Sequence, residues 1–193
     1  VDIPIGLKGQ DSKERLCDKQ ARAVLSPKKK PCVFRAPSRC AINAITYSEA
    51  HALNLACTGK GLSQQCFGIV PKIREMDIFL RAEPQRQKVR EMHPEVAFWA
   101  LNHRQSMLFS KKKAEGFEER MAILCQHLPS AERLVESALK KYLRKEVARD
   151  DIVDALVGAV LARQFDKLQR FPETPEMDDT GVIMEIVYWE PDE

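Results

Sequence analysis

From Ile152 to Leu161 the chain reads IVDALVGAVL, ten positions of which only Asp154 is polar. A helix with so little polar face must be covered on most sides, as a helix packed on a sheet is. An aspartate inside it is therefore out of place. Its intrinsic helix penalty is only about 0.7 kcal/mol at most, but burying an unpaired carboxylate costs several kcal/mol, so something must compensate, and a cation is the obvious candidate. Asp151 lies three residues earlier, which sets both carboxylates on one helix face on successive turns, and Gly158 continues that face without a side chain. Two anionic oxygen donors beside open space suit Mg²⁺ or Mn²⁺. The competing reading makes Asp150 and Asp151 helix caps and pairs Asp154 with an arginine such as Arg149 or Arg163.

Two further places carry acids where a core is expected. Asp2 interrupts Val1, Ile3 and Ile5 in VDIPIGL, a short β-rich run; it is either a strand carboxylate facing the helical pair or the acid that ends a strand by bonding to the next turn. In EMHPEVAFW, Glu91, His93 and Glu95 share strand parity unless Pro94 breaks it. His93 is a general-base or ligand candidate against the simpler role of a hydrogen-bonded side chain. Glu95, beside a proline at a strand end, is easily aimed into a cleft.

The remaining text orders itself around these runs. Asp11 and Glu14 have capping-box spacing before a helix with Leu16, Ala23 and Val24; Lys28 to Arg39 is an irregular, proline-bearing loop. Thr46 and Glu49 open a second helix that TGKG closes, and Ser63 caps a third in which Ile69, Ile73, Met76, Ile78 and Phe79 face inward, with Pro71 kinking or restarting it. Val89 to Leu101 reads as a strand interrupted by Pro94, followed by a polar turn at Asn102 to Gln105. Helices follow over Glu115 to Leu128, Ala131 to Leu143 and Asp151 to Leu168, then a Pro-rich acidic loop and a last strand, VIMEIVYW. This order predicts an α/β fold, a sheet covered by helices.

Composition bounds the function. With 193 residues, 44% of them hydrophobic, the chain can form one sizeable core, and a net charge of +3 permits a nucleic-acid partner without requiring one. No apolar run reaches the roughly 18 residues of a transmembrane helix, so the expectation is a soluble, cytoplasmic protein with no membrane partner. Cysteines 17, 32, 40, 57, 66 and 125 show no metal-binding spacing and read as reduced thiols. The basic runs at Lys28, Lys111 and Lys140 read as solvated surface, and GKG at 59 to 61 lacks the spacing of a phosphate-binding loop. No nucleophile elbow or dinucleotide fingerprint occurs, so neither covalent catalysis nor nucleotide hydrolysis has a positive signal.

The phrases VDIPIGL, TGKGLSQQCFGIVPKIREMD, EMHPEVAFWALN, SKKKAEGFEER, DDIVDAL and MEIVY, in that order from residue 1 to about residue 188, resemble domain-of-unknown-function family 429, described as predicted RNase H-like nucleases. The resemblance implies an RNase H-like mixed sheet flanked by helices, one domain over 1–193 with a helical insertion at about 11–82. It also implies divalent-metal-dependent hydrolysis of phosphodiester bonds. Asp2 is similar to the family's fourth-strand acid, and Asp151 and Asp154 resemble the paired aspartates of junction resolvases. By the same resemblance Asp2, Asp151 and Asp154 hold Mg²⁺ or Mn²⁺, Glu95 is a further ligand or proton acceptor, and Lys60, Lys72 and Arg74 reach phosphates. The family's glycine-rich first hairpin is not present ahead of Val1, which suggests an N-terminally incomplete domain or a homodimer that completes the sheet. The alternative function is a noncatalytic nucleic-acid-binding or scaffold protein on the same fold.

Overall fold

The computed structural model describes residues 1–10, 14–82 and 88–191. Among these residues there are seven α-helices and one two-stranded sheet, a helix-rich mixed α/β fold. They fall into two compact units, one of Val1–Val24, Lys30–His93 and Arg170–Val187, the other of Leu25–Lys29, Pro94–Gln169 and Tyr188–Glu193. The expected cap at Asp11 lies outside the described residues.

The first unit holds α1 (Leu16–Val24), α2 (Tyr47–Thr58), α3 (Gln64–Ala82) and the paired strands β1 (Gln169–Met177) and β2 (Ile183–Tyr188). Helix α2 starts and stops as its sequence dictates. The Thr46 hydroxyl accepts the Glu49 N–H at 3.2 Å, and Gly59 ends the helix at φ 67°, the left-handed region that glycine enters without strain. Ser63 likewise caps α3 by accepting the Cys66 N–H at 3.1 Å. Helix α3 runs through Pro71 as one element. It buries Cys66, Val70, Ile73, Asp77 and Leu80, while Ile78 and Phe79, expected inside, are exposed. The rotation follows Asp77, which takes Arg39 at 3.0 Å and Arg81 at 3.2 Å and so must face the loop that carries Arg39. The buried α3 residues Cys66, Val70 and Ile73 meet Leu7, Ile42, Ala44, Ala50 and Leu62 in one cluster, while Leu80 joins Ile5 and Val182 in a second.

Three expectations fail here. The Pro-rich acidic segment is a strand, β1; its connection to β2 is the short turn at 178–182, which makes the pair antiparallel, and a two-stranded edge tolerates prolines. Val1 to Leu7 is not a strand: Pro4 has no N–H, Gly6 turns at φ 72°, and the N–H groups of Ile5 and Leu7 go to carboxylates instead of a neighbouring strand. Only Val1 pairs in strand fashion, its carbonyl accepting the Met92 N–H at 2.9 Å, while Met92 forms a parallel bridge with Val187. Finally, Cys40 and Cys57 form a disulfide, because the 39–46 loop and the end of α2 set their Cα atoms 6.8 Å apart; the 17-residue separation is not a sequence signal.

The second unit is four helices, α4 (Pro94–Leu101), α5 (Ala114–His127), α6 (Ala131–Lys141) and α7 (Arg149–Arg163). Helix α7 contacts each of the others, which explains its apolar sequence: helices cover it here. The run expected as a strand is α4. Pro94 opens it at the first helical position, where its missing N–H and fixed φ suit a helix start, and all eight residues are buried. A short apolar run reads equally as either element until its ends are known. Helix α7 is also shorter than expected, ending at Arg163 before a single 3₁₀ turn at Phe165–Lys167.

Candidate functional site

In the first unit the VDIPIGL segment is anchored by three charged side chains. Arg15, buried one residue ahead of α1, donates to the carbonyls of Ile5 at 2.9 Å and Gly6 at 3.2 Å. The same guanidinium meets Glu91 at 2.8 Å through two nitrogens and Asp18 at 2.5 and 3.1 Å. Glu91 in turn accepts the Ile5 N–H at 2.6 Å, and Asp178 accepts that of Leu7 at 3.0 Å. Gly6 admits no other residue: besides its positive φ, a Cβ there would stand 2.6 Å from Met184 Cγ. Asp2 lies just ahead of this anchor, exposed.

Charge in this network is unevenly satisfied. Burial pushes the Glu91 carboxyl up to about 7, against the pull of Arg15, with Asp18 on the same guanidinium adding to the rise. Burial also opposes ionisation of Asp178, yet donors from Thr180, Val182 and Leu7 outweigh it and hold that carboxyl below the usual range. The buried thiols of Cys17 and Cys66 are pushed up by desolvation, Cys66 to about 12, so neither is a thiolate at neutral pH.

The second unit carries the helical acids. Asp154 meets Lys111 Nζ at 2.5 Å, and Asp150, one turn earlier, stands 3.7 Å from the same nitrogen. Asp151 points elsewhere: it accepts the Ala148 N–H at 3.1 Å and caps α7. Asp151 thus caps the helix as the capping reading expects, whereas Asp150 does not, and Asp151 and Asp154 do not converge as the metal reading expects. One acid caps the helix, two converge on a cation, and that cation is Lys111, not Arg149 or Arg163. Arg149 stacks on Phe117 instead, 4.1 Å from the ring centroid.

Glu95, in the first turn of α4, is buried against Arg120 at 2.6 Å, with Lys29 3.6 Å away. Arg120 also donates to the Gly116 carbonyl at 2.8 Å, tying α4 to α5. His93 Nε2 lies 3.1 Å from the Cys32 carbonyl oxygen. Of the cationic candidates in the first unit, Lys60 is exposed in the turn after α2, and Lys72 is exposed on α3 with Glu75 at 3.7 Å. Arg74 bonds the carbonyls of Ile42 at 2.7 Å and Ala44 at 3.2 Å.

Asp150 and Asp154 share the Lys111 ammonium, and their oxygens are of the donor type that Mg²⁺ and Mn²⁺ prefer. Among the described residues no group of three or more His, Cys, Asp and Glu side chains is arranged to hold a metal ion. No helix among them is long and apolar enough to cross a membrane. Sequence reasoning missed Lys111, Arg15 and Asp178. Only Arg15 had a local signal, an arginine three residues before Asp18 at the entry to a helix that buries Cys17, Asp18 and Ala21.

No curated protein and no solved structure matches the chain. The family described as "Protein of unknown function (DUF429)" matches residues 1–177, nearly the whole length, and the chain belongs to that family.

Proposed function

We propose that this protein is a divalent-metal-dependent nuclease, built as a single RNase H-like domain and acting on phosphodiester bonds of nucleic acid. The observation that carries the reading is the convergence of Asp150 and Asp154 on one cationic nitrogen, on a helix whose buried residues are all apolar. When bound, Mg²⁺ or Mn²⁺ would orient a water and neutralise the leaving oxygen. Asp154 and Asp150 supply anionic oxygens, while Asp151 caps the first turn of α7. By the resemblance alone, Asp2 and Glu95 enter this reading as ligand and proton acceptor, and Lys60, Lys72 and Arg74 as phosphate contacts. A cytoplasmic location belongs to the same reading.

The test is cleavage of end-labelled RNA, DNA, hybrid and junction substrates in Mn²⁺ and in chelator. Cleavage that needs Mn²⁺ and disappears in Asp154→Asn supports the reading; cleavage unchanged by that substitution refutes it. Asp2→Asn is assayed beside it, with the same loss expected.

A second reading, a noncatalytic nucleic-acid-binding protein, is favoured by one observation: Lys111 already meets the α7 carboxylates and no third acidic ligand accompanies them among the described residues. It predicts salt-dependent binding that chelator leaves unchanged.

A further inference from the structure

Three runs of the chain are rich in lysine, and the fold uses them differently. In the first, Lys29 is buried, with its Nζ 2.7 Å from the Phe109 carbonyl oxygen and 3.6 Å from Glu95. In the second, Lys111 meets Asp154. Each of these runs commits a cation to the inside of the molecule. The third, at the end of α6, commits none: Lys140, Lys141, Arg144 and Lys145 are exposed, and neither they nor Arg133 on the same helix has a carboxylate at ion-pair distance among the described residues. Arg133, Ser137 and Lys140 follow one another at helical spacing on the side opposite the buried Ala131 and Val135, and with Glu136 and Lys141 they line an open groove. An aromatic ring stands among these cations. Tyr142 is 44% exposed, and Lys141 Nζ lies 5.2 Å from its ring centroid.

Resting on nucleic acid as the partner in the readings above, we propose that this face of the second unit, built from Arg133, Lys140, Lys141, Tyr142, Arg144 and Lys145, binds single-stranded nucleic acid. The cations meet phosphates with no internal ion pair to give up. Over 131–146 they are five against three acids, Glu132, Glu136 and Glu146, so the segment keeps a positive excess. Tyr142 offers a flat surface on which one unpaired base stacks, and because every base has such a face the contact is indifferent to sequence. A duplex keeps its bases stacked on one another, so it meets the cations but not the ring. Helix α6 packs on α7, which sets a bound strand on the unit that carries Asp150 and Asp154. A lipid surface fits less well, since α6 turns Ala131 and Val135 inward and its cations outward, the reverse of a helix lying in an interface. The exposed Leu134, Leu139 and Leu143 make lipid vesicles the competing probe.

The experiment is fluorescence anisotropy of end-labelled oligothymidylate and oligouridylate about 12 nucleotides long, and of a duplex of the same length, titrated with the whole chain in chelator so that cleavage plays no part. Lys140→Gln with Lys141→Gln should weaken binding of single strands and duplex about tenfold and reduce the slope of log K against log salt for the single strands by about 0.7 for each lost contact. Tyr142→Leu should weaken single-strand binding about tenfold and leave the salt slope and the duplex affinity unchanged. The control is Lys112→Gln with Lys113→Gln, the same change of charge at exposed lysines elsewhere, which should leave binding within about twofold. Equal weakening by the two lysine pairs overturns the proposal in favour of net charge alone, and wild-type affinity in Tyr142→Leu overturns the single-strand assignment. Absence of oligonucleotide binding by the wild type at about 0.05 M salt overturns the proposal; sedimentation of the same protein with phosphatidylserine vesicles would then assign the face to lipid. Binding here by a chain that cleaves nothing in Mn²⁺ leaves the surface standing while the nuclease reading falls. Mn²⁺-dependent cleavage with affinity unchanged in the Lys140 and Lys141 pair overturns the surface and leaves that reading in place.

Discussion

The two units each hold a cation between two carboxylates, and they do so in different ways. In the first, the Arg15 guanidinium serves Asp18, Glu91 and two backbone carbonyls, and all three charged side chains are at most 6% exposed. In the second, the Lys111 ammonium serves Asp154 closely and Asp150 loosely, from a side chain 37% exposed. The first arrangement is geometric: a fork with fixed bond directions fastens the VDIPIGL segment to α1. The second rests on one hydrogen-bonded ion pair, Lys111 to Asp154, with Asp150 further off. The contrast is one of fixity: carboxylates gripped by a buried arginine are part of the scaffold, whereas those balanced by a partly exposed lysine are held by a single flexible side chain.

The largest effect should come from breaking the first arrangement. Arg15→Met removes the shared cation and leaves two carboxylates in the core, which destabilises by about 3–5 kcal/mol in urea unfolding. A loss below about 1 kcal/mol would mean that water reaches this site and that the two units differ less than their geometry indicates. The next effect is a pH dependence. Because the folded Glu91 carboxyl is raised to about 7, it binds a proton in the folded protein at pH values where the unfolded chain has lost it. Its contribution is full below the unfolded value of about 4.3 and is lost as pH rises through 7. Stability should therefore fall between pH 5 and pH 8 in the wild type, and Glu91→Gln should remove that part of the slope. Parallel curves for the two proteins would show Glu91 to be an ordinary ionised partner of Arg15.

The same contrast explains what could be read from the sequence. The helices that carry their own boundaries were legible: α2 from Thr46 and Gly59, α3 from Ser63, and α5 and α6 from their amphipathic patterns. The anomaly of Asp154 was legible too, because an acid inside an apolar helix is a local contradiction that demands a cation. Which cation answers it was not, since Lys111 is 43 residues away and looks like any other surface lysine in its run. Strand assignments failed for a related reason. VDIPIGL has strand composition, but its N–H groups are claimed by Glu91 and Asp178, 86 and 171 residues distant, and no local pattern records such a bond. In α4 the pattern was ambiguous: eight buried residues have no polar phase, so only Pro94 at the helix start decides the period.

The smallest expected effect is also the most discriminating between the two arrangements. Lys111→Gln should destabilise the metal-free protein by no more than about 1 kcal/mol, because a partner this exposed is screened by solvent and its entropy is only partly lost. That difference should shrink as salt rises from about 0.05 M to 1 M, where the Debye length falls to about 3 Å, below the 3.7 Å that separates Lys111 from Asp150. The Arg15→Met loss should change little over the same range, since its charges lie beyond the reach of mobile ions. Unfolding both variants at low and high salt thus measures directly how firmly each cation is held. If Lys111→Gln were as insensitive to salt as Arg15→Met, Lys111 would be as fixed as Arg15. The α7 carboxylates would then be as much part of the scaffold as those that hold VDIPIGL.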